Sequence, residues 1–439
     1  MITYDYSQAP ISPDERRDLE LIAGVRIEDI TLEDCPNLLV FPDSFESYDR
    51  ELGRKEICTI SQDGRELSTN SIVGFVGRNK THLSIHSRFA KAGEKDFFLH
   101  YMLQRVARVN LFNLPHAIDE DAVFDFLIYM FPQYLKKALN QGVYKKYVVR
   151  KYNDAHVKGS IDLNRHIRYN EPFNGQVAYS TREHSFDNEV TQLIRHTIEF
   201  IRSCRNRHIL SMDLGIQEAV SQICAVTPSY LSTQRSSIIN KNLRPMVHPY
   251  YSEYLPLQRL CLQILRYEEL KYGQEEDEVY GVLIDAAWLW EEYLALLLSE
   301  KYNHYLKSEG ERFDLFEGFQ QIIPDYLSLD RKVVADAKYI PLDKADEYGE
   351  DKATSIYYKT ITYMYRFCSN TGLLLYPHPH EAKEPKILKI KTEMECTHSG
   401  QIVKVGLGIP SNYEDFDAFC SSMKQCEQDF VSRCARSKW

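Results

Sequence analysis

The chain has 439 residues, of which 44 % are hydrophobic and 26 % charged, and its formal net charge at pH 7 is −10. This length exceeds the usual size of one hydrophobic core and predicts two or three domains. The negative net charge argues against a protein that coats nucleic acid through its overall charge, but it does not exclude a local binding groove. The start has no signal-peptide pattern, no segment approaches the roughly 20 apolar residues of a membrane span, and the 10 cysteines include no CxxC pair, so we expect a cytoplasmic protein.

Short strand-like runs separated by polar turns fill residues 20–90, which predicts a small β-rich domain. One of them, "GFVGRNKT" at 74–81, misses the phosphate-loop pattern GxxxxGK[ST] at a single position, where Asn79 replaces glycine. A phosphate loop leads into a helix, whereas this segment leads into an alternating, strand-like run. We therefore predict a hairpin turn at 77–80 and no nucleotide site.

Apolar residues at helical spacing dominate the segments that follow. Basic residues and tyrosines are interleaved over 136–168, a pattern typical of a solvated helix with its connector and also compatible with a face that tracks phosphates. A later helix follows Asp187 or Asn188, either of which can serve as its cap. The acidic run at 274–278 is the best candidate for a linker before a final domain.

The final domain is predicted to begin at Val282 with a strongly apolar helix, "VLIDAAWLWEEYLALLLSEKY". Three strands follow at 311–318, 324–329 and 332–340, and after them come a helix at about 353–369 and further strands. This order favours a mixed sheet flanked by helices, an α/β architecture.

Two aspartates lie on adjacent predicted strands of this domain. Asp336 ends the apolar run 333–335, which is typical of a strand buried on both faces, and Asp325 lies one short strand upstream. Buried charges are costly unless they are paired or bound to a cation. Two such carboxylates would repel each other without a metal, and their oxygens suit Mg²⁺, which takes only one or two carboxylates.

Lys338 lies two residues after Asp336 and therefore on the same face of the strand. A lysine beside a metal can orient or help to deprotonate the attacking water, and it offsets negative charge in the transition state. With Pro324, these residues form a PD-(D/E)xK constellation. A surface salt bridge on an edge strand would explain Asp336 and Lys338 but not Asp325.

The helix upstream offers a further carboxylate, Glu291 or Glu292. Glu291 shares a stripe of the predicted helix with Trp288 and Leu298, so it would lie on an apolar face where a carboxylate needs a metal or a basic partner. Glu292 would more readily be solvated. Periodicity alone leaves both alternatives open.

With these motifs the chain resembles the McrC family, the nuclease subunits of McrBC-type modification-dependent restriction systems. The likeness is strongest over about 280–376, where three family motifs correspond to Leu289-Trp290-Glu291, Pro324-Asp325 and Asp336-Ala337-Lys338-Tyr339. A weaker likeness extends upstream through "EHSFDNEV" and "VGFVGRNKTHLSIHSRF". The family's next helix usually carries a glutamine followed four residues later by a tyrosine. Here those positions hold Lys359 and Tyr363, so the glutamine is replaced.

The resemblance implies an α+β and α/β multidomain protein with three parts. Residues 1–145 would form a β-rich and then helical domain that docks on a GTPase partner, residues 146–275 a mixed, mainly helical region, and residues 276–439 a PD-(D/E)xK restriction-endonuclease-like domain. The implied catalytic residues are Asp325, Asp336, Lys338 and Glu291. The implied Mg²⁺ ligands are Asp325, Asp336 and the backbone carbonyl of Ala337, with Lys359 and Tyr363 as support or as contacts to DNA phosphate.

The resemblance also implies cofactors and partners. One or two Mg²⁺ ions would serve cleavage of double-stranded DNA carrying a modification such as 5-methylcytosine. An McrB-like AAA+ GTPase would bind the GTP, and no membrane partner is expected. The lack of a complete phosphate loop in the sequence agrees with nucleotide hydrolysis by a partner.

Two other functions fit the same residues. The chain could be a stand-alone PD-(D/E)xK endonuclease whose first 275 residues bind DNA. It could also be a non-catalytic assembly subunit that activates a GTPase. The complete set of Asp325, Asp336 and Lys338 argues against this alternative, and the replaced glutamine leaves it open.

Overall fold

The structure is a computed structural model. It describes residues 1–29, 37–41, 55–79, 81–90, 96–106, 119–204, 207–271, 279–305, 313–340, 342, 350–379, 384–391, 400–411 and 413–436. Contacts divide the chain into two compact units. The first unit comprises Met1–Val123 together with Glu275–Trp439, and the second comprises Phe124–Gln274. Within the described ranges, no helix is long and apolar enough to cross a membrane.

A five-stranded sheet forms the N-terminal part of the first unit. Its strands, in spatial order, are β1 (Ile2–Tyr4), β7 (Thr81–His86), β6 (Ile72–Arg78), β11 (Tyr280–Asp285) and β3 (Asn37–Phe41). A smaller sheet consists of β2 (Gln8–Pro10), β5 (Glu66–Thr69) and β4 (Cys58–Ile60). The helices here are α1 (Pro13–Leu19) and α2 (Phe97–Val106).

The hairpin predicted in place of a phosphate loop is confirmed. β6 and β7 pair antiparallel from Gly74 with Ile85 to Arg78 with Thr81. Asn79 follows β6 with a φ of 53°, in the left-handed region that asparagine tolerates in turns. In the described residues around this turn, Asn79 and 81–86, the chain continues into β7 and no helix begins, so the helix N-terminus that a phosphate site needs is missing there.

The apolar segment from Val282 was expected to be helical, and that expectation is wrong for its first residues. Residues Tyr280–Asp285 form β11, which pairs antiparallel with β6 and parallel with β3. Helix α9 (Ala286–Leu298) begins only afterwards, where the Asp285 side chain accepts a hydrogen bond from the backbone of Ala287 over 3.0 Å. The first residues of the segment, Val282-Leu283-Ile284, form a short apolar run. Such a run is compatible with a buried strand and with a buried helix, so periodicity could not decide which of the two forms here.

The position of β11 bears on whether residues 276–439 can fold alone. The predicted linker at 274–278 lies outside the described residues. The division into domains at 1–145, 146–275 and 276–439 stays a prediction. A fragment starting at 276 would keep β11 but lose both of its neighbouring strands.

We expect the 276–439 fragment to melt without a cooperative transition, because β11 would expose two unpaired edges. Thermal unfolding followed by circular dichroism checks this, with a 124–274 fragment as the control that should melt cooperatively. A sharp transition in the 276–439 fragment would contradict it.

A six-stranded mixed sheet forms the C-terminal part of the first unit, which confirms the predicted architecture. Its strands, in spatial order, are β12 (Tyr302–His304), β15 (Tyr326–Ser328), β16 (Val333–Ala337), β17 (Thr371–His378), β19 (Gln401–Gly408) and β18 (Lys386–Lys389). β16, β17 and β19 run parallel, whereas β15 is antiparallel to β16. Helix α10 (Glu350–Phe367) packs on β16 and β17, and α11 (Phe416–Cys434) packs on β19. The hairpin of β13 (Phe313–Phe316) and β14 (Phe319–Ile322) lies just before β15 in the sequence.

The second unit is mainly helical. Helix α3 (Asp119–Asn140) leads into it, and its other helices are α4 (Leu163–Asn170), α5 (Glu189–Ser203), α6 (Leu214–Val226), α7 (Arg235–Asn242) and α8 (Tyr254–Lys271). A three-stranded sheet contains β8 (Lys146–Asp154), β10 (Val177–Ser185) and β9 (Ser160–Ile161). Asn188 is the cap of α5, since its side chain accepts from the backbones of Val190 and Thr191. The basic segment at 136–168 contains a nine-residue strand, β8, where a helix and connector were expected.

Candidate active site

The two aspartates of the motif belong to one hairpin, with Asp336 in β16 and Asp325 directly before β15. Tyr326 of β15 pairs with Ala335 of β16, so the same antiparallel register places Asp325 opposite Asp336, one residue further along. Both are buried, with exposures of 4 % and 1 %. The sheet thus brings together two carboxylates that are separated in sequence by a complete hairpin.

Asp336 lies between two ammonium groups. Nζ of Lys338 forms an ion pair with Oδ2 of Asp336, and Nζ of Lys359, from α10, lies 3.4 Å from Oδ1. Burial by itself would raise the pKa of Asp336, but the two lysines outweigh it and hold that pKa below its usual value. The repulsion expected between the two carboxylates is therefore outweighed at Asp336 by its two cationic neighbours.

Asp325 is joined to the motif strand by a backbone hydrogen bond. The amide nitrogen of Ala337 donates to Oδ2 of Asp325 over 2.8 Å. Nζ of Lys338 donates to the carbonyl oxygen of Ala337 over 3.3 Å, so that carbonyl also faces the cluster. The structure therefore brings Asp325, Asp336, Ala337 and Lys338 together, while their roles as ligands and catalyst stay predictions.

Helix α9 is fixed against the end of the motif strand. The indole nitrogen of Trp290 donates to the carbonyl of Leu375 over 3.4 Å, and the backbone nitrogen of Lys338 donates to that same carbonyl over 2.8 Å. The hydroxyl of Tyr326 donates to the carbonyl of Glu291. The backbone of α9 at Glu291 is thereby connected to the residue that directly follows Asp325.

Burial does not choose between Glu291 and Glu292, because both residues are half-buried. The buried positions of α9 are Ala286, Leu289, Trp290, Tyr293, Leu294 and Leu298. Of the predicted stripe, Leu298 is therefore buried, whereas Trp288 is half-buried like Glu291. Glu291 stays the predicted third carboxylate on the resemblance alone.

Helix α10 contributes Lys359 and Tyr363, one helical turn apart. The hydroxyl of Tyr363 donates to the carbonyl of Ile323 over 2.9 Å, and burial raises the pKa of Tyr363 to about 12. Nζ of Lys359 lies 5.6 Å from the centre of the Tyr363 ring. Tyr363 is therefore placed to support the segment before Asp325. The side chain of Lys359 is 41 % exposed, and its contact with DNA phosphate stays a prediction.

Two contacts in this region were missed from the sequence. Tyr326 connects α9 to the motif strand, and its position directly after Asp325 could have drawn attention to it. The Leu375 carbonyl joins Trp290 to Lys338, and a backbone carbonyl in an apolar strand carries no sequence signal.

The donor set fits a hard cation better than a soft one. Among the described residues, no group of three or more His, Cys, Asp and Glu side chains is arranged to hold a metal ion. No donor among the described residues makes a hydrogen bond of ordinary geometry to either carboxylate oxygen of Asp336. Two carboxylates and a backbone carbonyl are oxygen donors that suit Mg²⁺, which needs only one or two protein carboxylates.

Comparison with known proteins connects this geometry to a family. The profile of the family described as "McrBC 5-methylcytosine restriction system component" matches residues 67–377, well over half of the chain. The chain belongs to this family. The resemblance noted from the motifs is thus confirmed at the level of the McrBC family, and the matched range contains Glu291, Asp325, Asp336, Lys338 and Lys359.

Solved structures of McrBC assemblies are more distant. A half-complex from a tetradecameric assembly of Thermococcus gammatolerans McrB AAA+ hexamers with bound McrC is 15 % identical, with 99 % of each chain covered and a TM-score of 0.45. The cryo-EM structure of the Thermococcus gammatolerans McrBC complex is 15 % identical, with 69 % of this chain and 89 % of that chain covered and a TM-score of 0.30. No curated protein matches the chain. The family assignment rests on the profile match.

Proposed function

We propose that this McrBC family member is the Mg²⁺-dependent DNA endonuclease subunit of a GTP-dependent, modification-dependent restriction complex. The observation that carries the proposal is the buried carboxylate of Asp336, opposite Asp325 and in an ion pair with Lys338. A structural ion pair on a surface strand would need neither the burial nor the second carboxylate. Membership of a restriction-system family supports the same conclusion.

Asp325, Asp336 and the carbonyl of Ala337 would hold Mg²⁺, which would act as Lewis acid and template for the scissile phosphate when bound. Asp336 is held ionised by its two lysines, so it is ready to bind a cation without first losing a proton. The hydrogen bond from Ala337 fixes the orientation of Asp325 relative to the motif strand.

Lys338 would orient the attacking water and stabilise the negative charge that develops on the phosphate. Its ammonium group lies on the Asp336 side of the strand end, next to the expected phosphate position. Lys359 would place a second positive charge beside the phosphate, and Glu291 would contribute a further carboxylate from α9. Tyr363 would support the segment that precedes Asp325.

The proposed partner is an McrB-like AAA+ GTPase that recognises and moves modified double-stranded DNA. The chain's own hairpin at 74–81 departs from a phosphate loop in sequence and in backbone conformation, so GTP would be bound and hydrolysed by that partner. The N-terminal residues up to about 145 would provide the docking region.

Co-expression with the neighbouring open reading frame tests the proposed complex. We expect an AAA+ GTPase to co-purify with this chain, and the chain to stimulate its GTP hydrolysis. Mg²⁺-dependent cleavage by the chain alone, with no gain from the GTPase, would instead favour the stand-alone endonuclease. GTPase stimulation without cleavage of methylated or unmethylated DNA would favour the non-catalytic subunit.

A further inference from the structure

The motif strand ends in a buried contact with the N-terminal sheet. β16 ends at Ala337, and the backbone of Lys338 makes one more sheet-like hydrogen bond, to Leu375. The next residue, Tyr339, is 5 % exposed, and its hydroxyl lies 2.8 Å from Oγ of Ser87. Ser87 directly follows β7 and is fully buried. A side-chain hydrogen bond between residues 252 positions apart therefore fixes the chain immediately after Lys338.

Ser87 belongs to a turn, residues 87–90, that is itself firmly held. The backbone nitrogen of Ser87 donates to Oδ2 of Asp96 over 2.6 Å, and Oδ1 of Asp96 accepts from the backbone of Leu99 at the start of α2. The half-buried Arg88 forms an ion pair with the buried Asp5, with Nη2 at 2.6 Å from Oδ2. The turn is thus attached to β1, β7 and α2 together.

The Tyr339 ring is also enclosed by this turn. The ring of Phe89 meets it edge-to-face with centroids 5.3 Å apart, and the guanidinium of Arg88 lies 5.4 Å from its centre. Its ring and its hydroxyl are both in contact with residues of the N-terminal sheet and the following turn. Lys338 lies between this anchor and β16, so a shift of Lys338 along the strand would disturb the contacts of Tyr339 or the pairing of β16.

We propose that the 87–90 turn is a positioning element for the nuclease site, with Tyr339 and Ser87 as positioning residues that set the placement of Lys338. The inference rests on the proposed endonuclease function and adds that the N-terminal sheet controls the catalytic lysine. A displacement of about 1 Å in a catalytic group can lower a rate by about a hundredfold, so one hydrogen bond at this strand end can control activity. The turn thereby gives a partner docked on the N-terminal region a direct mechanical connection to Lys338.

The variant Tyr339→Phe tests this role because it keeps the ring and removes only the hydroxyl. A matched control is Tyr302→Phe, since the hydroxyl of Tyr302 is also buried in the first unit and donates to the carbonyl of Cys434 over 2.9 Å. Both variants lose one buried phenol hydrogen bond, so their melting temperatures should fall by similar small amounts. Single-turnover cleavage by the complete complex, DNA affinity and GTPase stimulation are measured for each.

We expect Tyr339→Phe to lower the single-turnover cleavage rate at least tenfold with unchanged DNA affinity and GTPase stimulation, and Tyr302→Phe to cleave at the wild-type rate. Ser87→Ala should reproduce the loss, and the double variant should be no slower than the slower single variant, because both changes break the same hydrogen bond. Wild-type cleavage by Tyr339→Phe, or equal losses in Tyr339→Phe and Tyr302→Phe, would overturn the positioning role while leaving the endonuclease function intact. A wild-type complex that does not cleave would overturn the endonuclease function and the inference with it.

Discussion

Replacing Asp336 with asparagine is expected to reduce DNA cleavage to background. The neutral amide of Asp336→Asn keeps the shape of the side chain but removes the charge that binds Mg²⁺ at a site with few protein ligands. The same change removes the anion that both Lys338 and Lys359 approach. Calorimetric titration with Mn²⁺ should show weakened metal binding, and the cleavage assay should show no product. Asp330→Asn is the matched control, because Asp330 lies in the exposed turn before the same strand.

The stability of the Asp336→Asn variant provides an independent check. The pKa of Asp336 is lowered in the folded protein, so its carboxylate contributes stability above the unfolded pKa of about 3.9, and this contribution is lost as pH falls through the lower folded value. The difference in free energy of unfolding between wild type and variant should therefore shrink from pH 6 towards pH 3. A constant difference would contradict the lowered pKa of Asp336, and wild-type cleavage by the folded variant would remove Asp336 from the site.

Replacing Lys338 with alanine is expected to slow cleavage by about a hundredfold or more. One preorganised electrostatic contact to the reacting group is typically worth on the order of 3 kcal/mol in the transition state. Lys338 is 21 % exposed at the strand end, and Lys359 remains beside Asp336 in its absence, so the loss of Lys338 should affect rate more than folding. Single-turnover rates at saturating Mg²⁺ and GTP measure the effect.

The Lys338→Ala variant should still bind the GTPase partner and stimulate GTP hydrolysis, because the docking region is proposed to lie in the N-terminal residues. Lys389→Ala, on exposed β18 of the same sheet, removes the same charge away from the site and should cleave normally. Undiminished cleavage by Lys338→Ala would remove this lysine from the reaction. Loss of GTPase stimulation together with cleavage would show that the two functions share one region.

The carboxylates and the lysine could be predicted from the sequence because their geometry is local. An apolar run of β-branched and small residues predicts a buried strand, and the period of two places Asp336 and Lys338 on one side. Only the hairpin between Asp325 and Asp336 had to be inferred, and its antiparallel register makes them neighbours. Short-range periodicity was therefore sufficient for this part of the site.

Contacts between distant segments could not be predicted in this way. β11 is a short apolar run that becomes a strand because β3 and β6 supply its hydrogen bonds, and no pattern within the run shows those partners. The contact of Lys359 with Asp336 depends on how α10 packs across the sheet. The bond between Tyr339 and Ser87 depends on the N-terminal sheet packing beside the end of β16. Each of these three contacts joins segments that are distant in the sequence, so no local sequence pattern predicts it.

The most direct test of the central claim is cleavage of a methylated DNA duplex by the co-purified complex, with GTP hydrolysis followed in the same reaction. Cleavage should require this chain, the GTPase, GTP and Mg²⁺ together, and unmethylated duplex should stay intact. A complex that assembles and hydrolyses GTP in Mg²⁺ but leaves the methylated duplex uncut would contradict the assignment of Asp325, Asp336 and Lys338 as a nuclease site.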